Sequence, residues 1–434
     1  MSYVDELQAA FERHAEIADY RINLAERRSL GVGIRDNDVG SVYSPFSFSQ
    51  STGGGFLVQW RNGLLSRGNL DGNSLAILEQ VLSNARQAAY DDPDAAQFLG
   101  PQPVHEVSLF AHDVPQLFEE RSPYLLDVVT ELQTLAQRYG AKTLNGGVGA
   151  SVGTSWLRTS QGLGLSTTST SFSFSASFDG LIGEGKSQRM IAPLTEIQEQ
   201  ITYAGDYLQH LRAPMDGGSS GTRIVVLHPD VAYSLFSFYV WGNLGGSAIY
   251  HGQSPFRIED FRRGQQVFRD DLTVRVDPWQ PLGPGSFMYT SEGLPSAPVT
   301  YIDRGRLTQP VLDLKYARRL ALAPTTPPGS EQSVLMEAGD VSDWDTLLDE
   351  LADAILVLSV LGLHTQDRTS GNYSLSTSQA LLVRDGQVRG RVKATLNGNL
   401  FDQLRDNRVR LVRFKGQHSP GFALPLTVTI EQTA

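Results

Sequence analysis

Histidine is the residue type most relevant to metal chemistry here, because the chain contains eight histidines and no cysteine. His105 and Glu106 are followed by His112, a spacing longer than that of the zinc-binding HExxH motif. An isolated histidine is usually a hydrogen-bonded structural residue. His228 and His251 remain a possible metal-binding pair if the fold brings them together. The absence of cysteine excludes disulfides, thiolate nucleophiles and cysteine-bound zinc or iron–sulfur sites.

A second motif, GLIGEGKS at 180–187, matches the phosphate-binding pattern GxxxxGK[ST]. Such a loop follows a buried strand and opens a helix at its lysine. Here the preceding segment has the pattern of a half-exposed strand, and Pro193 stands where the first helical turns should run. We therefore interpret the string as a chance match in a glycine-rich chain. The alternative is nucleotide binding through Lys186.

The densest polar stretch, GLHTQDRTSGNYS at 362–374, follows an apolar run that reads as a buried strand. Polar loops at strand ends often carry functional sites. The residues that we consider for contact with a ligand are His364, Asp367, Arg368, Gly371 and Tyr373. The alternative is a solvated loop stabilised by the turn-forming tendency of Asp and Gly.

The first half of the chain mixes helical and strand patterns. Val4, Leu7 and Phe11 recur at helical spacing, whereas serine alternates with phenylalanine in STTSTSFSFSASF, 166–178, as in a half-exposed strand. FLVQWRNGLLSRG predicts a hairpin around Asn62-Gly63, a pair that tolerates the positive φ angles of a type I′ turn.

The second half begins after the glycine- and serine-rich linker MDGGSSG, 215–221. RIVVL predicts a buried strand that leads into a helix at Pro229, and ILVLSVLGL, from Ile355, predicts another buried strand. LLVRDGQVRG predicts a hairpin at Asp385-Gly386. Because helices and strands do not alternate as regular βαβ units, we predict an α+β protein with domains at 1–214 and 222–434.

Composition limits the classes of partner. The net charge of -11 disfavours a general nucleic-acid binder. The longest apolar run, 354–363, is too short to cross a bilayer, and the amphipathic, acidic N-terminus is unlike a signal peptide. We therefore expect a soluble, cytoplasmic protein that binds neither membrane nor nucleic acid.

Two long segments resemble the TldD/PmbA family, also called modulator-of-DNA-gyrase proteins. They are SEGLPSAPVTYIDRGRLTQPVLDLKYARR and GLHTQDRTSGNYSLSTSQALLVRDGQVRGRVKATLNGNLFDQL. The matching elements, in family order, are Glu292, Gly293 and Pro295; Gly305 and Leu307; Gly371, Tyr373 and Ser374; Asp385-Gly386; and Gly398-Asn399. The resemblance also covers the N-terminal hairpin and the helix LAILEQVLSNARQAA. It implies a two-domain α+β fold with mixed and antiparallel sheets flanked by helices.

The resemblance also implies a function. The two branches of the family form a heterodimeric zinc protease that degrades short or unfolded peptides. In the TldD-like branch, the histidines of an HExxxH motif bind zinc, its glutamate activates water, and a cysteine near the C-terminus completes the metal site. The TldE-like, or PmbA-like, branch lacks this set and supports its partner.

Ser237, Phe238 and Gly242 stand where a TldD-like chain has its HExxxH. The C-terminal cysteine is also missing, and the segment FKGQHSPGF offers only His418. The resemblance therefore implies a TldE/PmbA-like subunit that is inactive alone and has no cofactor of its own. Zinc is expected in a TldD-like partner, in a heterodimer that acts on extended peptides. The 362–374 loop would line the substrate chamber.

Two other functional classes remain open. The chain could be a homo-oligomeric protein, such as a homodimer, that binds peptides or other ligands without protease activity. It could also be an independent hydrolase with an unrecognised metal site, such as one held by His228 and His251.

Overall fold

A computed structural model describes residues 2–119, 122–214 and 219–431. Residues 215–218 of the predicted linker lie outside the described part of the chain. No helix in the described ranges is long and apolar enough to cross a membrane.

The strands of the first half form one antiparallel sheet in the order β4-β3-β1-β5-β6-β7, with β2 paired to β1. These strands are β1 Ile17–Arg35, β2 Asp38–Val39, β3 Ser47–Trp60, β4 Leu65–Asp71, β5 Leu144–Thr159, β6 Gly164–Phe178 and β7 Ile182–Gln188. The helices of this half are α1 Tyr3–Arg13, α2 Leu78–Gln87, α3 Gln116–Glu119, α4 Pro123–Arg138 and α5 Leu194–Arg212.

One face of this sheet packs against helices at two places along its long strands. Near the start of β1, Ile22 and Leu24 lie in a small core with α1 and α2. Further along, the predicted phenylalanine stripe of β6 is confirmed, since Phe172, Phe174 and Phe178 are buried against α4 and α5. Alternation with serine places all three rings on one face, because successive strand side chains point to opposite sides.

The second half contributes two further sheets. Its strands are β8 Gly221–Leu227, β9 Thr273–Val276, β10 Val299–Asp303, β11 Arg306–Leu307, β12 Val334–Glu337, β13 Val341–Asp343, β14 Asp353–Leu361, β15 Asn372–Arg384, β16 Gln387–Arg391, β17 Ala394–Asn399, β18 Arg410–Arg413 and β19 Gly421–Ile430. Within the described residues, β9–β12 form a four-stranded sheet and the others form a mixed eight-stranded sheet. The predicted α+β class, with mixed and antiparallel sheets flanked by helices, is confirmed.

Short helices cover the sheets of the second half. They are α6 Pro229–Phe236, α7 Gly242–Leu244, α8 Gly246–Tyr250, α9 Ile258–Arg262, α10 Leu314–Leu320, α11 Trp344–Glu350 and α12 Leu400–Arg405. A π-helix, Ser237–Trp241, joins α6 to α7, and two 3₁₀ turns occupy Glu331–Ser333 and Leu363–Thr365.

The eight-stranded sheet is buried on both faces at β8 and β14, which explains why these strands contain the apolar runs 224–227 and 354–358. On one face, Val226 and Leu356 pack into the core that contains α4 and α5. On the other face, Val225 and Ile355 pack into the core that contains α6 and the π-helix. The two halves therefore share a hydrophobic core, although no sheet in the described ranges crosses the predicted boundary. The domain limits 1–214 and 222–434 stay a prediction.

Both hairpins are confirmed, but one turn differs from the prediction. Asp385 and Gly386 have φ angles of 50° and 70°, as a type I′ turn requires. Of the other pair, only Gly63 has a positive φ, 86°, so the predicted type I′ turn at Asn62-Gly63 is wrong. The Trp60 N–H donates to Leu64 O over 2.9 Å, which makes the loop longer than two residues.

Candidate functional site

The helical segment that follows β8 is mostly core. Pro229 occupies the first turn of α6, where its missing N–H costs no hydrogen bond. Most side chains from Val231 to Leu244 are buried against the eight-stranded sheet and its neighbours. Ser237, Phe238 and Gly242 are half-buried and lie where this segment reaches the surface. The three positions singled out by the family resemblance therefore share an accessible part of a mostly buried helical segment.

The π-helix brings two of these positions together. The Gly242 N–H donates a hydrogen bond to Ser237 O, five residues earlier, as in π-helical geometry. In a regular α-helix, residues five apart are separated by about 140° around the axis. The π-turn reduces this angle and stacks position 242 near position 237. The backbone thus has a geometry that suits two ligands at the spacing of HExxxH, although neither residue can bind a metal.

The polar loop 362–371 packs onto this same accessible face. The Arg368 guanidinium carbon lies 5.1 Å from the centroid of the Phe238 ring, in cation–π contact. The buried Asn243 holds the loop, since its Nδ2 donates to Arg368 O over 2.8 Å and to Tyr239 O over 2.7 Å. A Cβ added to Gly242 would lie 3.1 Å from Arg368 Nη1. The tertiary structure therefore unites two segments that sequence reasoning treated separately.

A positive charge thus lies beside the positions that would carry metal ligands. The guanidinium is always protonated and offers no lone pair to a metal. Over the described ranges, no group of three or more His, Asp or Glu side chains has the geometry to hold a metal ion. The residues present at Ser237, Phe238 and Gly242 do not fit zinc, and no hydrolytic step through a metal can be built on them.

The candidate residues in the loop differ in what they contact. His364 and Asp367 are exposed. Asp367 Oδ1 accepts from the Thr369 N–H over 2.9 Å and so also shapes the turn. Gly371 has a φ of 74°, and a Cβ there would lie 2.5 Å from the Phe401 ring, so this position requires glycine. Their role as lining of a substrate chamber stays a prediction.

Tyr373 is not an accessible loop residue, which corrects our expectation. It lies in β15 and is only 4% exposed. Its hydroxyl donates to Gln403 Oε1 over 3.1 Å, and burial raises the pKa of this phenol above its usual value. A buried ring that already has its polar partner belongs to the core, so Tyr373 cannot contact a ligand directly in this conformation.

His228 and His251 do not form a metal-binding pair in this structure. His228 is buried at the start of α6, with Nδ1 3.4 Å from Asp230 Oδ2 and Nε2 3.9 Å from Glu184 Oε1. His251 instead lies beside Tyr316, whose hydroxyl is 3.4 Å from its Nε2. The two histidines have different neighbours, so the alternative of an independent hydrolase loses the metal site suggested for it.

A polar cavity beside His228 was missed by sequence reasoning. Its volume is about 570 Å³, and its lining includes Asp230, Glu331 and His418. Glu184 lies behind it, where burial raises the pKa of its carboxyl. Glu184 belongs to GLIGEGKS, which forms β7 rather than a phosphate-binding loop, and Lys186 pairs with Glu196 over 2.7 Å. The residues that line this cavity come from distant segments, and no spacing in the sequence links them.

Comparison with known proteins identifies a family and several relatives that this chain resembles. Residues 220–426 match the family model of the PmbA/TldA metallopeptidase C-terminal domain. The metalloprotease PmbA of Escherichia coli O157:H7 is 29% identical over 183 residues, which span 42% of this chain and 39% of that protein. The second half of this chain, residues 220–426, therefore belongs to the TldD/PmbA family.

Two further proteins match over most of the chain. An uncharacterized protein of Methanocaldococcus jannaschii is 21% identical over 336 residues, or 76% of this chain and 78% of that protein. The crystal structure of TldE from Thermococcus kodakarensis superposes with a TM-score of 0.78 at 16% identity, covering 99% of this chain and 100% of that one. At this identity the likeness establishes the fold alone, and it extends through both halves.

Proposed function

We propose that this chain is a TldE/PmbA-like, non-catalytic subunit of a TldD/E-type zinc metalloprotease that degrades short or unfolded peptides. The observation that carries the proposal is the surface formed by Ser237, Phe238, Gly242 and Arg368. The π-helix at this surface has backbone geometry suited to ligands five residues apart. The four residues of the surface, however, offer no imidazole, carboxylate or thiolate group. The guanidinium beside it opposes a bound cation.

The role of the chain would then be indirect. A TldD-like partner holds zinc and performs hydrolysis, while this chain helps to enclose the chamber in which an extended peptide binds. The exposed side chains of His364, Asp367 and Arg368 can face such a chamber. Extended peptides commonly bind through backbone hydrogen bonds, which give affinity with little sequence selectivity.

The test is reconstitution with a TldD-like chain from the same genome. The two chains are purified separately, and zinc content and cleavage of an unstructured peptide are measured for each chain and for the mixture. For this chain alone we expect neither stoichiometric zinc nor peptidase activity. For the mixture we expect a stable complex and a higher rate of cleavage than that of the partner alone.

Two outcomes would contradict the proposal. Stoichiometric zinc or peptidase activity in this chain alone would mean that another site performs hydrolysis. If the mixture neither forms a complex nor gains activity, the chain is not a supporting subunit. A symmetric homodimer that binds peptides would then favour the alternative of a ligand-binding protein. As a control, the partner with its HExxxH glutamate changed to glutamine should be inactive in the same mixture.

A further inference from the structure

Two arginines lie in one row across the first sheet. In the registers of β1, β3 and β4, Arg21 is opposite Leu57, and Leu57 is opposite Arg67. Directly paired residues point to the same face of a sheet. This face is opposite to the one on which Ile22 and Leu24 pack against α1 and α2. Both guanidinium groups therefore project from the face without those helices, one on each side of β3.

The next rows form a groove that begins at this pair. Asn23 and Asn69 lie opposite Gly55, so the middle strand has no side chain between the two amides. The following row has Gly53 in the middle, where an added Cβ would meet no atom nearer than 3.9 Å. The middle strand thus has no side chain at Gly55 and Gly53. The neighbouring strands place Asn23 and Asn69 beside Gly55, and Ala25 and Asp71 beside Gly53; Asp71 Oδ1 accepts from the Asn73 N–H over 2.9 Å.

A loop from the second half of the chain covers part of this groove. Tyr289, Thr290 and Ser291 line it, and the Tyr289 hydroxyl lies 3.4 Å from Ser155 O. The resulting cavity has a volume of about 500 Å³, a size usual for ligand sites. A second cavity of about 440 Å³ adjoins it and shares both arginines. The groove is therefore a concave site between the two halves of the chain.

Arg21 is an under-partnered buried cation. The residue is 9% exposed, and its nearest carboxylate is Glu292, with Nη1 and Oε1 3.9 Å apart. Its Nε has no hydrogen-bond partner within the described part of the chain. Burying a charge without hydrogen bonds is costly, and a guanidinium can donate five. A ligand with two adjacent acceptor oxygens would supply the missing partners.

The two carboxylates near Arg21 each have one oxygen that accepts a backbone hydrogen bond. Glu292 Oε2 accepts from the Leu314 N–H over 2.8 Å, and Asp313 Oδ1 accepts from the Tyr316 N–H over 2.8 Å. Arg67 is exposed, and no described carboxylate lies within ion-pair distance of it. The pair of arginines consequently retains donors for an anion that enters from the groove.

We propose that this groove binds the C-terminal carboxylate of an extended peptide between Arg21 and Arg67, with the peptide backbone over Gly55 and Gly53. Bidentate pairing with a carboxylate suits the guanidinium group. Asn23 and Asn69 can hydrogen-bond the last peptide units. Naming a peptide as the ligand rests on the proposed function; the carboxylate specificity rests on the arginine row alone.

The experiment compares two forms of one peptide on the full chain without a partner. An N-terminally labelled Ala-Ser-Ala-Ser-Ala is prepared with a free C-terminal carboxylate and with a C-terminal amide, and binding is followed by fluorescence anisotropy. We expect the acid to bind roughly tenfold more tightly than the amide, or better, because charged hydrogen bonds are lost in the amide. Equal affinities, or no saturable binding of either form, would overturn the proposal.

Variants locate the site. Arg67→Ala should remove most of the preference for the acid, and Gly53→Leu, which fills the floor, should weaken both forms. Gly33→Leu is the matched control, because it lies on the same face of β1 and a Cβ there meets no atom within 4 Å. If Gly33→Leu weakens binding as much as Gly53→Leu, the groove is not the site.

Competition with excess acetate tests whether the site recognises a peptide or any carboxylate. If acetate displaces the labelled peptide as strongly as the unlabelled peptide does, the peptide backbone contributes nothing to binding and its proposed role is overturned.

This test separates the two proposals. It uses no metal and no partner, so failed reconstitution of peptidase activity would leave the binding result intact. Conversely, loss of the acid–amide preference would leave the supporting-subunit proposal untouched.

Discussion

Zinc binding by this chain is expected to appear when two changes are combined, namely introduction of HExxxH in the π-helix and removal of Arg368. The quadruple variant Ser237→His, Phe238→Glu, Gly242→His and Arg368→Ala places two imidazoles five residues apart, where the Gly242 N–H reaches Ser237 O. With Arg368 retained, the new side chain at position 242 would meet its Nη1, 3.1 Å from the added Cβ. The guanidinium would also repel the metal.

The size of this effect can be estimated. A single and a double positive charge about 5 Å apart repel by about 1.7 kcal/mol even at the dielectric constant of water. We therefore expect the quadruple variant to bind zinc at least about tenfold more tightly than the triple variant that keeps Arg368. Affinity would be measured by competition with a chromophoric chelator.

A matched variant tests whether the two imidazoles act together. Ser237→His, Phe238→Glu, Gly242→Ala and Arg368→Ala has a single histidine and should bind zinc weakly. Two results would refute the role assigned to this surface: equal zinc affinity with and without Arg368, or equal affinity with one and with two histidines. Circular dichroism of each variant would establish that the fold is retained.

Tyr373→Ala is expected to lower the free energy of unfolding by about 3–5 kcal/mol, as truncation of a large buried side chain does. The ring is 4% exposed and packs in the core beside Tyr239, with 6.4 Å between ring centroids. The truncation also removes the hydroxyl donor of Gln403, a residue that is itself 4% exposed. Chemical denaturation followed by tryptophan fluorescence would measure the loss.

Two further variants separate packing from polarity. Tyr373→Phe keeps the ring and leaves Gln403 Oε1 without this donor, so a loss of about 1–3 kcal/mol is expected. The exposed loop residue His364 is the contrast, since His364→Ala should change stability by less than about 0.5 kcal/mol. If Tyr373→Ala were no more destabilising than His364→Ala, the assignment of Tyr373 to the core would be wrong.

Much of the fold could be predicted because its pattern is local. The phenylalanines of β6 alternate with serine, and the continuous apolar runs of β8 and β14 mark strands covered on both faces. Such patterns follow from the periods of strand and helix, which act within a few residues. Turn geometry was less predictable. Asn62-Gly63 and Asp385-Gly386 are equally suited to a two-residue turn, yet the loop at Asn62-Gly63 is longer.

In the candidate site, too, some features follow from the sequence and others only from the tertiary structure. By itself, the sequence determined which side chains are available: no cysteine, no histidine or glutamate at positions 237, 238 and 242, and a polar loop that contains Arg368. The tertiary structure alone decided which of them meet. The tertiary structure buries Tyr373 in the core, places Arg368 over Phe238 and aligns Arg21 with Arg67 across β3. The physical reason is that composition and periodicity are properties of neighbouring residues, whereas these contacts depend on strand register and on packing between distant segments.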